Sequence, residues 1–360
     1  MIKIKELTKH VGLPTIIIGG AWFLIMGIGI AHKLSLFDMI GETGSYSSGM
    51  LSDGLKRFGR WGLLTLAMVP AIQSGVGPNF ALPLGIVCGL LGQVCAFAWG
   101  FTGAAWVLVS IPLAISFALV MGYGYGRLMN SVKGSEMTIA TYTGFSMTML
   151  FSLLWLTLPF RDHRMTWPLK GTGLRQTIQL DQINGAHILD NFLAFRFLGI
   201  SFPTGTLLVF FGGCFLMWLF MRSKTGIAIS AGGSNPMFAS AAGLNVNRGR
   251  IAANMVSTVL GALGIIIYAQ SFGYVQLYQD PLMMAFPAVA GILIGGASVR
   301  RARIIHVLIG AFIFQGLMAT SLPVANELFA GTDLSETLRM IIQNGIILYA
   351  LTQAGGGKGK

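Results

Sequence analysis

Apolar runs of about 20 residues recur down this chain with almost no charge inside them, and such runs leave few folds open. An unpaired backbone N–H or C=O is intolerable in hydrocarbon, so a segment that enters a bilayer must satisfy those groups internally, as a helix does. The runs predict spans near 12–31, 61–75, 80–101, 104–126 and 137–159, then, after a polar stretch, near 203–221, 251–270, 282–298, 304–321 and 336–353. The fold class expected is all-α: a polytopic integral membrane protein of about ten transmembrane helices, with 1–360 as one transmembrane domain. A membrane barrel would instead show short alternating strands. Composition agrees, because 54% of residues are apolar, 10% are charged and the mean hydropathy is +0.72. A soluble domain carries about 25% charged residues, so this chain could not cover a water-facing surface of ordinary polarity.

Charge orients the spans. With the N-terminus inside, the inner segments collect Lys3, Lys5, Lys9, Arg127, Lys133, Arg222, Lys224, Arg248, Arg250, the Arg300–Arg303 turn, Lys358 and Lys360. Only Glu6 and Glu136 oppose them, so the formal surplus of +12 falls on one side, as the positive-inside rule asks. Both termini are then cytoplasmic. The basic balance suits anionic membrane lipid and implies no nucleic acid. The run from Val11 to Ala31 exceeds a signal-peptide core and lacks a small-x-small cleavage site, so it reads as an uncleaved first helix.

Ten helices that start inside divide into two five-helix halves entering from opposite faces, a topology compatible with an inverted repeat. Three connections stand out. Residues 38–60, with Gly41, Gly44, Gly49 and Gly54, read as an outer loop or partly embedded turn. Residues 160–202, with Arg161, Asp162, Arg164, Asp181, Asp190 and Arg196, read as an external loop able to meet another protein or simply solvated. Residues 222–250 form a cytoplasmic loop. There Asn235-Pro236 precedes Met237-Phe238-Ala239-Ser240-Ala241-Ala242 and Gly243 follows, the punctuation of a short helix with a cap, a first-turn proline and a terminal glycine. Such a helix between two spans could seat in a groove of a soluble partner, or be an ordinary interfacial loop helix.

The run Gly232-Gly233-Ser234-Asn235-Pro236 followed by Ala241-Ala242-Gly243-Leu244-Asn245-Val246 resembles the "GGN…AA…GINV" segment of ATP-binding-cassette importer permeases of the ribose and galactose type. Ala290-Gly291-Ile292-Leu293-Ile294-Gly295-Gly296-Ala297-Ser298 is similar to their "VVIGGTS" segment, and a basic turn and Ile309-Gly310-Ala311 follow in the same order. Nucleoside, autoinducer-2 and branched-chain amino-acid permeases share this pattern, so the resemblance indicates a superfamily. In the N-terminal half the family's "GGIDLSVG" turn has its nearest counterpart in Gln73-Ser74-Gly75-Val76-Gly77-Pro78-Asn79-Phe80-Ala81-Leu82-Pro83, which lacks the Asp. Two glycines and two prolines there still break a helix.

The resemblance implies a permease that carries a small polar solute, a sugar or nucleoside-like compound, delivered by an extracytoplasmic solute-binding protein. It implies a second permease copy, as a homodimer, and cytoplasmic ATPase subunits that bind ATP and magnesium, leaving this chain without a cofactor. The location implied is the bacterial cytoplasmic (inner) membrane. Coupling to the ATPase falls to Gly233, Ser234, Asn235, Pro236, Ala239, Ala241, Ala242 and Gly243. Gln73, Ser74, Asn79, Phe80, Thr141 and Asn344 are candidate path residues, although Ser and Thr often bond their own helix and amides often join neighbouring helices.

Catalytic chemistry has little footing in the sequence. The tail from Gly355 to Lys360 imitates a phosphate-binding loop's glycines and lysine but has no following Ser/Thr or helix. His10, His32, His163, His187 and His306 are scattered, so no metal site or hydrolytic triad is expected. Cys88 and Cys95 lie two helical turns apart, about 10 Å, beyond disulfide reach. A stand-alone secondary carrier or channel for a small neutral solute is the alternative, and the scarcity of ionisable residues inside the predicted spans counts against ion coupling.

Overall fold

The computed structural model describes residues 12–31, 49–160, 162–167, 173–197, 200–328 and 334–355. Lys3, Lys5, Lys9, Gly41, Gly44, Arg161, Lys358 and Lys360 lie outside these described residues. Each expected span corresponds to helix. The first is α1 (Leu13–Ala31). The second is shared by α2 (Met50–Leu66) and α3 (Met68–Gln73), followed by α4 (Leu82–Ala98), α5 (Gly103–Ser131) and α6 (Glu136–Thr157).

After a segment holding β1 (Thr177–Gln179), α7 (Ile188–Asn191), β2 (Phe195–Phe197) and β3 (Ile200–Phe202) comes α8 (Thr204–Arg222). Then follow α9 (Lys224–Ser234), α10 (Pro236–Ala241), α11 (Val246–Phe272) and β4 (Tyr274–Gln276). The chain continues through α12 (Asp280–Met283), α13 (Ala285–Ile294), α14 (Ile304–Leu328) and α15 (Leu334–Gly355). The protein is all-α apart from two small antiparallel ribbons, β1 with β4 and β2 with β3. Among the described residues six helices (α1, α5, α6, α8, α11 and α14) are long and apolar enough to cross a membrane, and α4 and 280–294 are shorter apolar helices.

At the centre lies α11, 27 residues and about 40 Å long. Glycines set how closely its neighbours approach. A Cβ on Gly89 of α4 would fall 2.5 Å from the Ala262 carbonyl oxygen of α11, and one on Gly126 of α5 would fall 2.9 Å from Ile251 Cα. Backbones this close gain packing contacts where lipid supplies no hydrophobic drive between helices. At the periphery, Leu108 and Val120 on α5, Leu153 on α6 and Leu216 on α8 stay exposed, as expected of faces turned to lipid.

The connections sort into two faces. On one, which we call the ribbon face, the end of α11 continues into β4, which pairs with β1, and the Ser201 amide donates to Ser52 Oγ of α2 at 3.0 Å. On the opposite, basic face, Asn130 Nδ2 donates to the Asn247 carbonyl at 3.0 Å and Arg250 pairs with Glu136 at 2.6 Å.

One boundary departs from the sequence expectation. Residues 50–60, read as part of a loop, are the first turns of α2. Hydropathy misses them because the stretch carries Asp53, Lys56, Arg57 and Arg60. Asp53 and Arg57 pair one turn apart at 2.6 Å, and Arg60 is turned into the protein.

Candidate functional site

Between the ribbon-face halves of α2, α11, α14 and α15 lies a cavity of about 390 Å³, within the range of roughly 300–1,000 Å³ usual for small-molecule sites. One wall is aromatic. Trp61 meets Tyr268 edge-on at 5.5 Å, and Tyr268 stacks on Phe272, its neighbour one turn along α11, also at 5.5 Å. Arg60, the residue before Trp61 on α2, lies over both rings, its guanidinium carbon 5.5 Å from the Tyr268 centroid and 5.7 Å from that of Phe272. The opposite wall brings Gln315 from α14 and Gln343 from α15, and the segment after β4 adds Gln279 and Asp280.

The charges in this cavity are unequal in their satisfaction. Arg57 is paired with Asp53, and Arg339 with Glu336 through both Nε and Nη2. Arg60, only 8% exposed, pairs with no carboxylate among the described residues, and its Nε has no hydrogen-bond acceptor. Asp280 is 5% exposed and its Oδ2 has no donor. Burying a charge without a partner is costly, so two such groups lining one cavity mark a place built for something else to complete.

The broken segment forms a second, different arrangement on the basic face. Gly75 and Gly77 adopt φ of +79° and +96°, which release the chain from α3 and let it dip back into the protein before α4 starts at Leu82 and Pro83. Asn79 is held there from three sides: its Nδ2 donates to Ser257 Oγ at 2.8 Å, and its Oδ1 accepts from the Ala81 amide at 3.0 Å and the Tyr125 hydroxyl at 3.2 Å. Ser257 lies roughly 16 Å along α11 from its start, so irregular backbone reaches well below the surface, enclosed by protein. Gln73 ties the break to two connections, donating to the Ala302 carbonyl at 2.7 Å and accepting from Ser230 Oγ of α9 at 2.8 Å. Gly233 of α9 packs directly on it: a Cβ there would fall 2.7 Å from the Gly75 amide nitrogen.

From this junction the chain turns into α10. Asn235 caps it, accepting from the Phe238 amide at 3.0 Å, Pro236 opens it, and Gly243 closes it at φ +80°. Ala239 packs inward, whereas Met237 and Phe238 are 85% and 72% exposed, and Ser234, Ala241 and Ala242 are exposed beside them. Two bulky apolar side chains therefore project from a short, capped helix at the basic face.

The sequence-derived path residues do not meet in one place. Gln73, Ser74 and Asn79 gather at the broken segment; Ser74 Oγ donates to the Ala71 carbonyl. Phe80 and Thr141 share a narrow crevice of about 10 Å³ with Phe286, and the Thr141 hydroxyl donates to its own helix at the Met137 carbonyl. Asn344 is exposed on α15, while its neighbour Gln343 lines the large cavity. Sequence reasoning passed over Arg60, Tyr268 and Asp280. A signal was present in Arg57-Phe58-Gly59-Arg60-Trp61, two cations against an aromatic at the mouth of an apolar run, but it lay in a stretch read as loop.

On the ribbon face a separate polar cluster anchors the 180–203 segment. Buried Asp190 accepts from the hydroxyls of Thr206 on α8 and Ser271 on α11, and His187 Nδ1 lies 3.5 Å away. Burial pushes the Asp190 carboxyl up, yet the His187, Ser271 and Thr206 contacts outweigh it and leave the group below the usual carboxylate value. The Asp190 contact in turn raises His187. Among the described residues no cluster of His, Cys, Asp and Glu is arranged to hold a metal ion.

The model of the family described as the branched-chain amino acid transport system permease component matches residues 50–351, which include the cavity walls, the broken segment and α10. No curated protein and no solved structure matches the chain at a significant level. A match over so much of the chain settles its kinship: this multi-pass membrane protein belongs to the branched-chain amino acid transport system permease family.

Proposed function

We propose that the chain is the membrane-spanning subunit of an ATP-driven importer in the bacterial cytoplasmic membrane, with both termini cytoplasmic. The cavity on the ribbon face then receives a small polar solute, sugar- or nucleoside-sized, from an extracytoplasmic binding protein. Two copies form the transport unit, and ATP and magnesium are handled by cytoplasmic ATPase subunits. The 222–250 loop carries the coupling helix, and the 160–202 loop faces the external side.

The observation that carries this reading is the chain of contact from α10 to the broken segment. Met237 and Phe238 offer an apolar knob to a partner. The same element continues through Ser234 into α9, where Gly233 rests on the backbone of 73–75 and Ser230 bonds Gln73. A push on α10 is thus delivered to the broken segment between α3 and α4. Packed elements in direct backbone contact shift together because a dense interior has little room to deform.

The test is Ala241→Trp, at an exposed position of α10. In proteoliposomes with the ATPase subunits, ATP-dependent uptake is expected to be lost while membrane insertion and thermal stability stay normal. Unchanged uptake would remove α10 from the coupling role.

One observation favours a second reading. A buried carboxylate with one oxygen that lacks a donor, Asp280, is the sort of group a proton-coupled carrier uses. Solute accumulation driven by a proton gradient without ATP would establish that alternative.

A further inference from the structure

The cavity walls bear on the solute's chemistry. Three arginines line the cavity, and two of them are neutralised by carboxylates one turn away on their own helices. The third, Arg60, has only aromatic faces as partners among the described residues, and its Nε is unsatisfied. Cation–π contact is worth about 0.5–2 kcal/mol, too little to offset the several kcal/mol that burying an unpaired ion costs. A purely structural role for Arg60 is therefore poor chemistry, because a glutamine or leucine would fill the same wall more cheaply. Asp280 presents the complementary deficit, a carboxylate oxygen without a donor.

We propose that the transported solute is a small organic monoanion whose carboxylate pairs with Arg60 and which carries a hydroxyl group that donates to Asp280. The proposal rests on the cavity being the solute site, and it narrows the class from any small polar compound to carboxylates. Guanidinium presents parallel N–H donors that match a carboxylate's two oxygens. Charge count argues for a monoanion over a phosphate ester. With Arg57 and Arg339 already paired, Arg60 and Asp280 are the charges left, so a carboxylate adds one negative charge to the cavity whereas a dianionic phosphate would add two beside Asp280. The aromatic wall of Trp61, Tyr268 and Phe272 excludes water beside the pair and strengthens it.

The experiment uses the purified full chain in lipid nanodiscs, without ATP or partner proteins, so that it reads binding separately from coupling. Matched probes are gluconate against glucose and lactate against lactamide, with inorganic phosphate as a separate arm. Thermal shift and the change in tryptophan fluorescence at Trp61 are recorded. At least one carboxylate is expected to bind saturably, roughly 10- to 100-fold more tightly than its neutral partner.

Arg60→Gln is expected to abolish that preference while leaving the unliganded melting temperature equal or higher, since it removes a buried unpaired charge. Arg60→Lys should keep part of the preference. Equal affinity for neutral partners, no binding by any carboxylate, or binding of phosphate alone would overturn the proposal. So would an Arg60→Gln protein that retains the preference or melts lower when unliganded, which would make Arg60 a structural element. Retained carboxylate binding with no ATP-dependent uptake would leave this proposal standing and reject the importer mechanism instead.

Discussion

The cavity and the broken junction lie in the same bundle, yet they are built on opposite principles. The cavity is charged, aromatic and incompletely satisfied: Arg60 and Asp280 are buried without the partners their charges call for. The junction is neutral and tightly satisfied. Asn79 uses both ends of its amide, Gln73 bridges two connections, and Gly233 leaves no room for a methyl group. Unsatisfied groups around a space await a ligand, whereas satisfied groups in dense contact transmit displacement. Under the proposed function, the difference separates where a solute would be held from where motion would be imposed.

Substitutions at the junction should break the comparison most strongly. Gly233→Val places branched carbon against the Gly75 backbone, which cannot rotate away. It is expected to cost about 1–3 kcal/mol and to abolish ATP-dependent uptake. Gly124→Val on α5, where nothing lies within 4 Å, should stay within about 0.5 kcal/mol of wild type by thermal melting. Equal effects at the two glycines would show that the junction is not specially packed.

Asn79→Ala comes next. It strips an acceptor from the Ala81 amide and the Tyr125 hydroxyl together, an expected loss of about 1–3 kcal/mol measured by melting in detergent. Ligand affinity at the cavity should not change. A parallel loss of affinity would merge the two regions into one site.

The smallest effect concerns neither region but the anchor of the ribbon face. His187 is raised by Asp190, so its contribution is fully present below its ordinary value of about 6.5 and is lost as pH rises through the elevated folded value. Asp190 is depressed, so its contribution fades only in acid, as pH falls through the folded value. Protease nicking of residues 180–203 should therefore increase between mildly acidic and mildly alkaline pH, and His187→Gln should flatten that profile. A wild-type profile without slope over this interval would assign the anchoring to Thr206 and Ser271 alone.

Much of the bundle was legible because membrane insertion is governed by local composition. Runs such as Gly103–Ser131 announce themselves without knowledge of any neighbour, and the caps of α10 could be read from Asn235, Pro236 and Gly243 for the same reason. The start of α2 was illegible to a hydropathy argument, since Asp53 and Arg57 neutralise each other only once the helix has formed. Arg60 and Asp280 hid for a related reason. They are far apart in sequence, and nothing about either residue alone says that it will be buried in the same cavity. Asn79 and Gln73 were singled out as polar groups beside a break, but their partners come from α5, α9, α11 and the 298–303 turn.

By itself, then, the sequence determined the solvent in which this protein folds, its all-α class and the placement of a capped helix on the basic face. Those properties follow from free energies that are nearly additive along the chain: transfer of apolar residues, backbone hydrogen bonding and capping. Only the tertiary structure decided which polar groups are consumed in holding helices together and which are left open to a solute. That division depends on distances between residues as remote as Arg60 and Phe272, or Asn79 and Ser257. Hydrogen bonding and charge pairing fall off within a few ångströms, so no spacing along the chain encodes them until the helices have packed.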